Sequence, residues 1–85
     1  MEDLLNTKYA IAKKHFKSAY DSDFISTLAH EFAGEKEVLG YMQLKDAIHF
    51  DTVEEAKSTL SNLPSWALDS HGVVEFRNFG IYYII

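Results

Sequence analysis

The stretch Leu5-Asn6-Thr7-Lys8-Tyr9-Ala10-Ile11-Ala12-Lys13-Lys14-His15-Phe16-Lys17-Ser18-Ala19 decides the fold, because two periodicities compete in it. Leu5, Tyr9, Ala12, Phe16 and Ala19 recur at i, i+4, i+7, i+11 and i+14, which is one face of a helix with the lysines mostly off it. Tyr9 and Ile11 alternate with small residues, which would make Lys8–Phe16 a strand instead. The helical spacing accounts for more positions and is the expectation here.

Downstream, Asp21, Ser22 and Asp23 break that pattern. They supply an N-cap and acids at the positive end of a second helix. Phe24, Ile25, Leu28, Ala29 and Phe32 give its apolar face, and Gly34 its stop. A short polar turn should then pack the two helices as a hairpin. In residues 35–50, Val38, Gly40, Met42 and Leu44 alternate as in a strand, while Val38, Tyr41, Leu44 and Ile48 also suit a helix. Gly40 would cost a helix interior about 1 kcal/mol, which favours the strand.

The clearest local signal is Thr52-Val53-Glu54-Glu55, a capping box in which the hydroxyl accepts from the Glu55 amide and the Glu55 side chain reaches back. Val53, Ala56, Leu60 and Leu63 form the buried stripe, and Pro64 ends the helix at the residue before it. Ser65 can cap one further turn through Trp66 and Leu68. Asp69-Ser70-His71-Gly72 reads as a turn. Val73–Phe76 and Ile81–Ile85 then form a hairpin about Arg77-Asn78-Phe79-Gly80, or one long strand bulged near Gly80. The expected fold is a single α+β domain over residues 1–85. It has an N-terminal helix pair, a strand, a capped helix and a C-terminal β-hairpin, with one small antiparallel sheet packed on helices.

Composition narrows the chemistry. The chain has 85 residues, no cysteine and one proline, and is 47% hydrophobic, 14% aromatic and 25% charged. That apolar content excludes a disordered polymer. With no cysteine there is no disulfide, zinc ribbon or thiol nucleophile, and a cytoplasmic compartment is expected. No run of about 18 apolar residues suggests a membrane span. Acids near the start of MEDLLNTK argue against a secretory leader, so the chain is read as mature. A chain this short buries only about 60–65% of its unfolded surface, so its core must be used fully.

The net charge of −5 is unevenly spread. Residues 1–20 hold four lysines against two acids, whereas residues 21–63 hold nine acids against three lysines. An acidic surface repels phosphate, so a protein partner with a basic patch is expected and direct nucleic-acid or membrane binding is not. Lys13-Lys14-His15-Phe16-Lys17 reads as a solvated face.

Searches for reactive constellations find none. His30-Glu31 begins a zincin-like pattern, but Gly34 stands where its second histidine would be. His15, His30, His49 and His71 fall on separate elements, so no metal site is expected. Asp69, Ser70 and His71 have triad residue types, but adjacent side chains diverge. Gly34, Gly40, Gly72 and Gly80 make no phosphate loop, so no cofactor is expected. Glu35/Glu37 and Glu54/Glu55 read as dipole partners near helix starts. Nothing here indicates an enzyme.

Two apolar features remain. The tail Ile81-Tyr82-Tyr83-Ile84-Ile85 is uncharged and reads first as a central strand of the sheet. The alternative is a strand that pairs across a dimer or adds to a partner's sheet. Trp66 reads first as a lid on the core, and otherwise as an exposed anchor. The expected binding set is therefore Glu35, Glu37, Asp51, Glu54, Glu55, Trp66, Tyr82 and Tyr83.

The run from Leu44 to Leu60, LKDAIHFDTVEEAKSTL, resembles a phrase of small phage and mobile-element accessory proteins. There A-x-x-F-x-T-x-E-E-A leads from a strand into a capped helix. Short, acidic and free of cysteine, the chain is similar to phage inhibitors of host enzymes and defence systems, anti-CRISPR proteins among them. That resemblance implies a non-catalytic inhibitor of a host nucleic-acid-processing or defence complex, acting through an acidic surface in the host cytoplasm. A structural protein dimerising through its C-terminal strand is the alternative.

Overall fold

A computed structural model describes residues 7–30, 37–77 and 80–84. It contains β1 (Lys8–Lys13), β2 (Phe24–His30), β3 (Glu37–Met42), a 3-10 turn (Leu44–Asp46), α1 (Val53–Ser61), α2 (Ser65–Leu68), β4 (His71–Arg77) and β5 (Gly80–Ile84). The strands form one antiparallel sheet in the order β3-β2-β1-β4-β5. The α+β class and the antiparallel sheet agree with expectation. The N-terminal helix pair does not, since both of its members are strands.

The reason lies in how β1 is covered. Tyr9 and Ile11 pack into a cluster with Ile25, Val73, Ala56, Leu63 and Ala67, on the face covered by the helices. Ala10 and Ala12 enter a second cluster with Phe24, Leu44 and Val74, against Phe16, Ala19 and Ala47. With both faces buried, a strand loses its polar–apolar alternation, and its sequence ceases to look like one. Phe16 and Ala19, counted above on a helical stripe, are loop residues closing the second face. Asp21 does not cap a following helix. Its carboxylate reaches back to accept from the amides of Lys17 (2.8 Å) and Ser18 (3.1 Å). In β2, Phe24 and Ile25 are both fully buried because they serve opposite faces. Phe32 and Gly34 lie outside the described residues.

The strand expected around Gly40 is β3. Gly40 sits opposite Thr27, and a Cβ built there would lie 2.9 Å from the Thr27 Cβ. Close packing between strands requires glycine here, a reason separate from its helix propensity.

β1 and β2 pair in register only at Ala12 opposite Phe24 among the described residues. Below that point they part, and the segment 48–50 occupies the gap. The Ile48 amide donates to the Ile25 carbonyl (3.0 Å), while Tyr9 and Phe50 exchange both backbone bonds (2.9 and 2.7 Å). Leu44 and Ala47 belong to the cluster on one face, and Ile48 and Phe50 to the cluster on the other. The connection therefore crosses the sheet through this opening and delivers α1 to the helix face.

The capping box is formed. Thr52 Oγ1 accepts from the Glu55 amide at 3.1 Å, and the Glu55 carboxylate accepts from the Asp51 amide at 3.2 Å. Thr52→Ala should lower stability by about 0.5–2 kcal/mol in urea denaturation, whereas Thr52→Ser should retain most of it. The helix ends at Ser61, two residues short of Leu63. Reverse turns from Asn62 to Thr59 and from Leu63 to Leu60 tighten its end before the proline is reached. Pro64, not Ser65, occupies the N-cap position of α2.

Turn Asp69–Gly72 is shorter than expected, because His71 and Gly72 already belong to β4. In the C-terminal hairpin Arg77 pairs with Gly80, so the strands continue into the expected four-residue loop. The register shifts by one residue at Tyr82, farther along than the bulge considered near Gly80. β5 is an outer strand, not a central one.

Asp21 and Asp51 set an acid limit on this fold. Amide bonds from Lys17 and Ser18 hold the Asp21 carboxyl below its ordinary range, and the Lys8 ammonium does the same for Asp51. A carboxyl depressed on folding contributes stability above its unfolded pKa and loses it as pH falls through its folded pKa. The part of the unfolding free energy that these two carboxyls supply should therefore be lost as pH falls through and below the ordinary carboxylate range. Asp21→Asn should reduce that loss in urea titrations at stepped pH.

Candidate functional site

α2 is one turn long, too short to persist without tertiary support. The support converges on a single residue. Ala67 is fully buried, and its carbonyl accepts from His71 Nδ1–H (2.8 Å), the Ser70 amide (3.2 Å) and Ser70 Oγ (3.2 Å). The Ala67 amide in turn donates to the Pro64 carbonyl at 2.8 Å.

His71 ties this turn to the sheet. Among the described residues it is the polar side chain buried in the core, 3% exposed. A carbonyl can only accept, so Nδ1 carries the proton toward Ala67 and Nε2 is left as an acceptor. The Tyr41 hydroxyl lies 2.7 Å from Nε2 and donates to it. Burial, with Asp23 adding to it, pushes the Tyr41 phenol above its ordinary value, which keeps that donor protonated. The rings stack with centroids 5.7 Å apart and planes 19° off parallel, and Lys13 Nζ stands 4.2 Å from the Tyr41 centroid. Lys13 is also the register partner of His71, and the Lys14 amide donates to the Ser70 carbonyl at 2.9 Å. The imidazole thus joins the start of β4 to β3 and α2, and backbone pairing joins the same point to the end of β1.

The residues on either side of locked Ala67 are turned out. Trp66 is 64% exposed and Leu68 40% exposed. The expectation that Trp66 lids the core is therefore corrected: Ala67 takes the inward position of this single turn, so its neighbours point elsewhere. An exposed tryptophan on a backbone fixed at both sides presents a large apolar surface at little further cost in ordering.

Asp51, Glu54 and Glu55 come together at the start of α1, where all three are exposed. Asp51 pairs with Lys8, and Glu55 holds the Asp51 amide. Among the described residues no cation pairs with Glu54. Glu37 is on another element, opposite His30 at the start of β3, and Glu35 lies outside the described residues. Tyr82 and Tyr83 are in β5, with Tyr83 opposite Glu75. The expected binding residues thus divide among the α1 start, α2, β3 and β5.

Ser70 and His71 do touch, contrary to the expectation that adjacent side chains diverge: Ser70 Oγ lies 3.0 Å from Nδ1. That nitrogen already directs its proton at Ala67, and Nε2 holds the Tyr41 hydroxyl, so neither is placed to take the serine proton. His49 is used elsewhere, its Nε2 donating to the Leu44 carbonyl at 2.8 Å and its ring edge-on to Phe76. Among the described residues no three potential metal ligands gather, and no helix is long and apolar enough to cross a membrane.

The lock itself had no signature in the sequence. Tyr41 and His71 lie thirty residues apart and meet only through the strand order. Compared with known protein families, curated proteins and solved structures, the chain matches none.

Proposed function

We propose that this chain is a non-catalytic protein-binding module that seats its partner on Trp66 and Leu68. The carrying observation is the exposed Trp66 beside a buried, triply hydrogen-bonded Ala67. Rigid, exposed tryptophan is enriched among the few residues that dominate binding energy. The acids at the start of α1 favour a partner with a basic surface and would speed its approach. Nucleic-acid-processing and defence complexes present such surfaces. The resemblance to phage inhibitors points to the same partner class, which makes an acidic inhibitor the specific form of this reading.

Affinity capture followed by quantitative binding tests it, with wild type, Trp66→Ala and the Glu54→Lys/Glu55→Lys pair run together. Trp66→Ala should weaken the captured complex by about 30-fold or more, the threshold of a hot spot. Its thermal midpoint should stay near wild type, because the side chain is exposed. Charge reversal should slow association and flatten its dependence on salt. Binding indifferent to Trp66→Ala would overturn the anchor, and binding indifferent to salt and charge reversal would overturn the acidic surface.

A further inference from the structure

We propose that Tyr41, His71 and Ser70 form a two-setting hydrogen-bond chain that holds or releases the turn carrying Trp66 and Leu68. The settings differ in which nitrogen of the His71 ring bears the proton. Their use in binding rests on the Trp66 reading above, whereas the switching itself does not. Ser70 Oγ lies 3.2 Å from the Ala67 carbonyl and 3.0 Å from His71 Nδ1, so its single hydrogen has two acceptor sites within reach. At the far side of the ring the Tyr41 hydroxyl lies 2.7 Å from Nε2. A hydroxyl both donates and accepts, and a neutral imidazole carries its proton on either nitrogen.

In the held setting the proton is on Nδ1. The Ala67 carbonyl then accepts from Nδ1–H, Ser70 Oγ–H and the Ser70 amide, while Tyr41 O–H donates to Nε2. In the released setting the proton is on Nε2, which donates to the Tyr41 oxygen, and Ser70 Oγ–H turns to the bare Nδ1. Both nitrogens keep a partner and the charge is unchanged. Water completes the exchange, taking one proton from Nδ1 and returning one at Nε2, and Ser70 is exposed to it.

The Ala67 carbonyl is what changes. It keeps the Ser70 amide alone and meets a nitrogen lone pair at 2.8 Å, two acceptors in contact, so the turn must move off. Little else restrains it: Ser65, Trp66 and Leu68 are exposed, and the Ala67 methyl is the one buried side chain of α2. The released setting has one hydrogen bond fewer, a bias of roughly 2- to 12-fold toward the held one. A partner that seats on a fixed Trp66 selects the held setting, and its apparent affinity falls with the fraction released.

NMR on the free chain tests this, so a failure of Trp66 as an anchor leaves the outcome untouched. In wild type the His71 nitrogen shifts should lie about a tenth to a third of the way from the Nδ1–H tautomer toward the other. The Trp66 indole and the amides of Ala67 and Ser70 should show exchange broadening. Ser70→Ala deprives the bare Nδ1 of its donor. It should drive the ring to the Nδ1–H tautomer and quench the broadening, even though Ala67 has lost a bond. Ser70→Thr keeps the hydroxyl and should behave as wild type. If Ser70 were only a tie on the turn, Ser70→Ala would broaden these signals further. A wild type with a single tautomer overturns the proposal, as does a mixture that leaves Trp66 sharp. Broadening that persists or grows in Ser70→Ala overturns it too. If Ser70→Ala does not fold, the wild-type shifts and Ser70→Thr decide.

Discussion

Phe24→Ala is expected to lower the unfolding free energy by about 3–5 kcal/mol, the range for losing a buried phenyl ring. A domain of this length has roughly 4–13 kcal/mol in total, so the variant should sit near the limit of folding. Phe24 is fully buried in the cluster with Ala10, Ala12 and Val74, and its ring lies 5.1 Å from that of Phe16. It is also the backbone partner of Ala12 at the point where β1 and β2 remain in register. Removing the ring empties the second face and frees the loop that carries Phe16 from what it packs on. Urea denaturation followed by far-UV circular dichroism will measure this. A loss below about 1.5 kcal/mol would show that the second cluster is not a true core.

His71→Phe carries the second large effect, about 1–3 kcal/mol, because it keeps a buried ring while removing both of its hydrogen bonds. The Ala67 carbonyl retains Ser70, but the Tyr41 hydroxyl loses its acceptor. A double-mutant cycle isolates that bond. Tyr41→Phe alone should cost about 1 kcal/mol, and in the His71→Phe background close to nothing. Additive losses would mean that the two side chains act separately. Trp66 fluorescence gives a local readout, since loosening α2 changes the surroundings of its indole without global unfolding.

How much of this was legible differs by element. The capped helix was readable because its signal is local: Thr52, Glu55 and the Val53/Ala56/Leu60/Leu63 stripe interact within a few residues. β3 and the C-terminal hairpin were readable from β-branched and aromatic residues broken by glycine. β1 and β2 were not. Ala10 and Ala12 are small because they lie beneath a second layer of loop residues, and small residues between Tyr9 and Ile11 satisfy helical and strand spacing alike. Only the partner across the sheet distinguishes the two, and β4, which supplies it, lies some sixty residues away.

The site shows the same division. The acids at the start of α1 were placed together by one turn of helix. Nothing in the sequence around Trp66 separates a lid on the core from an exposed anchor; a four-residue helix has a single inward position, and Ala67 occupies it. The hydrophobicity of the tail suits the middle of the sheet and does not distinguish an inner strand from an outer one.

The opening between β1 and β2 that admits residues 48–50 also dictates a folding itinerary. A meander of β1, β2 and β3 could close early from neighbouring segments, but this sheet cannot be completed in that order. Tyr9 must wait for Phe50, and β1 must wait for β4, which emerges only after both helices. Such reliance on distant partners makes folding slower than the microseconds of a helical hairpin. Stopped-flow refolding should show it. During synthesis β2 and β3 can pair as they emerge, whereas β1 must wait for β4, which pairs with it along its whole length.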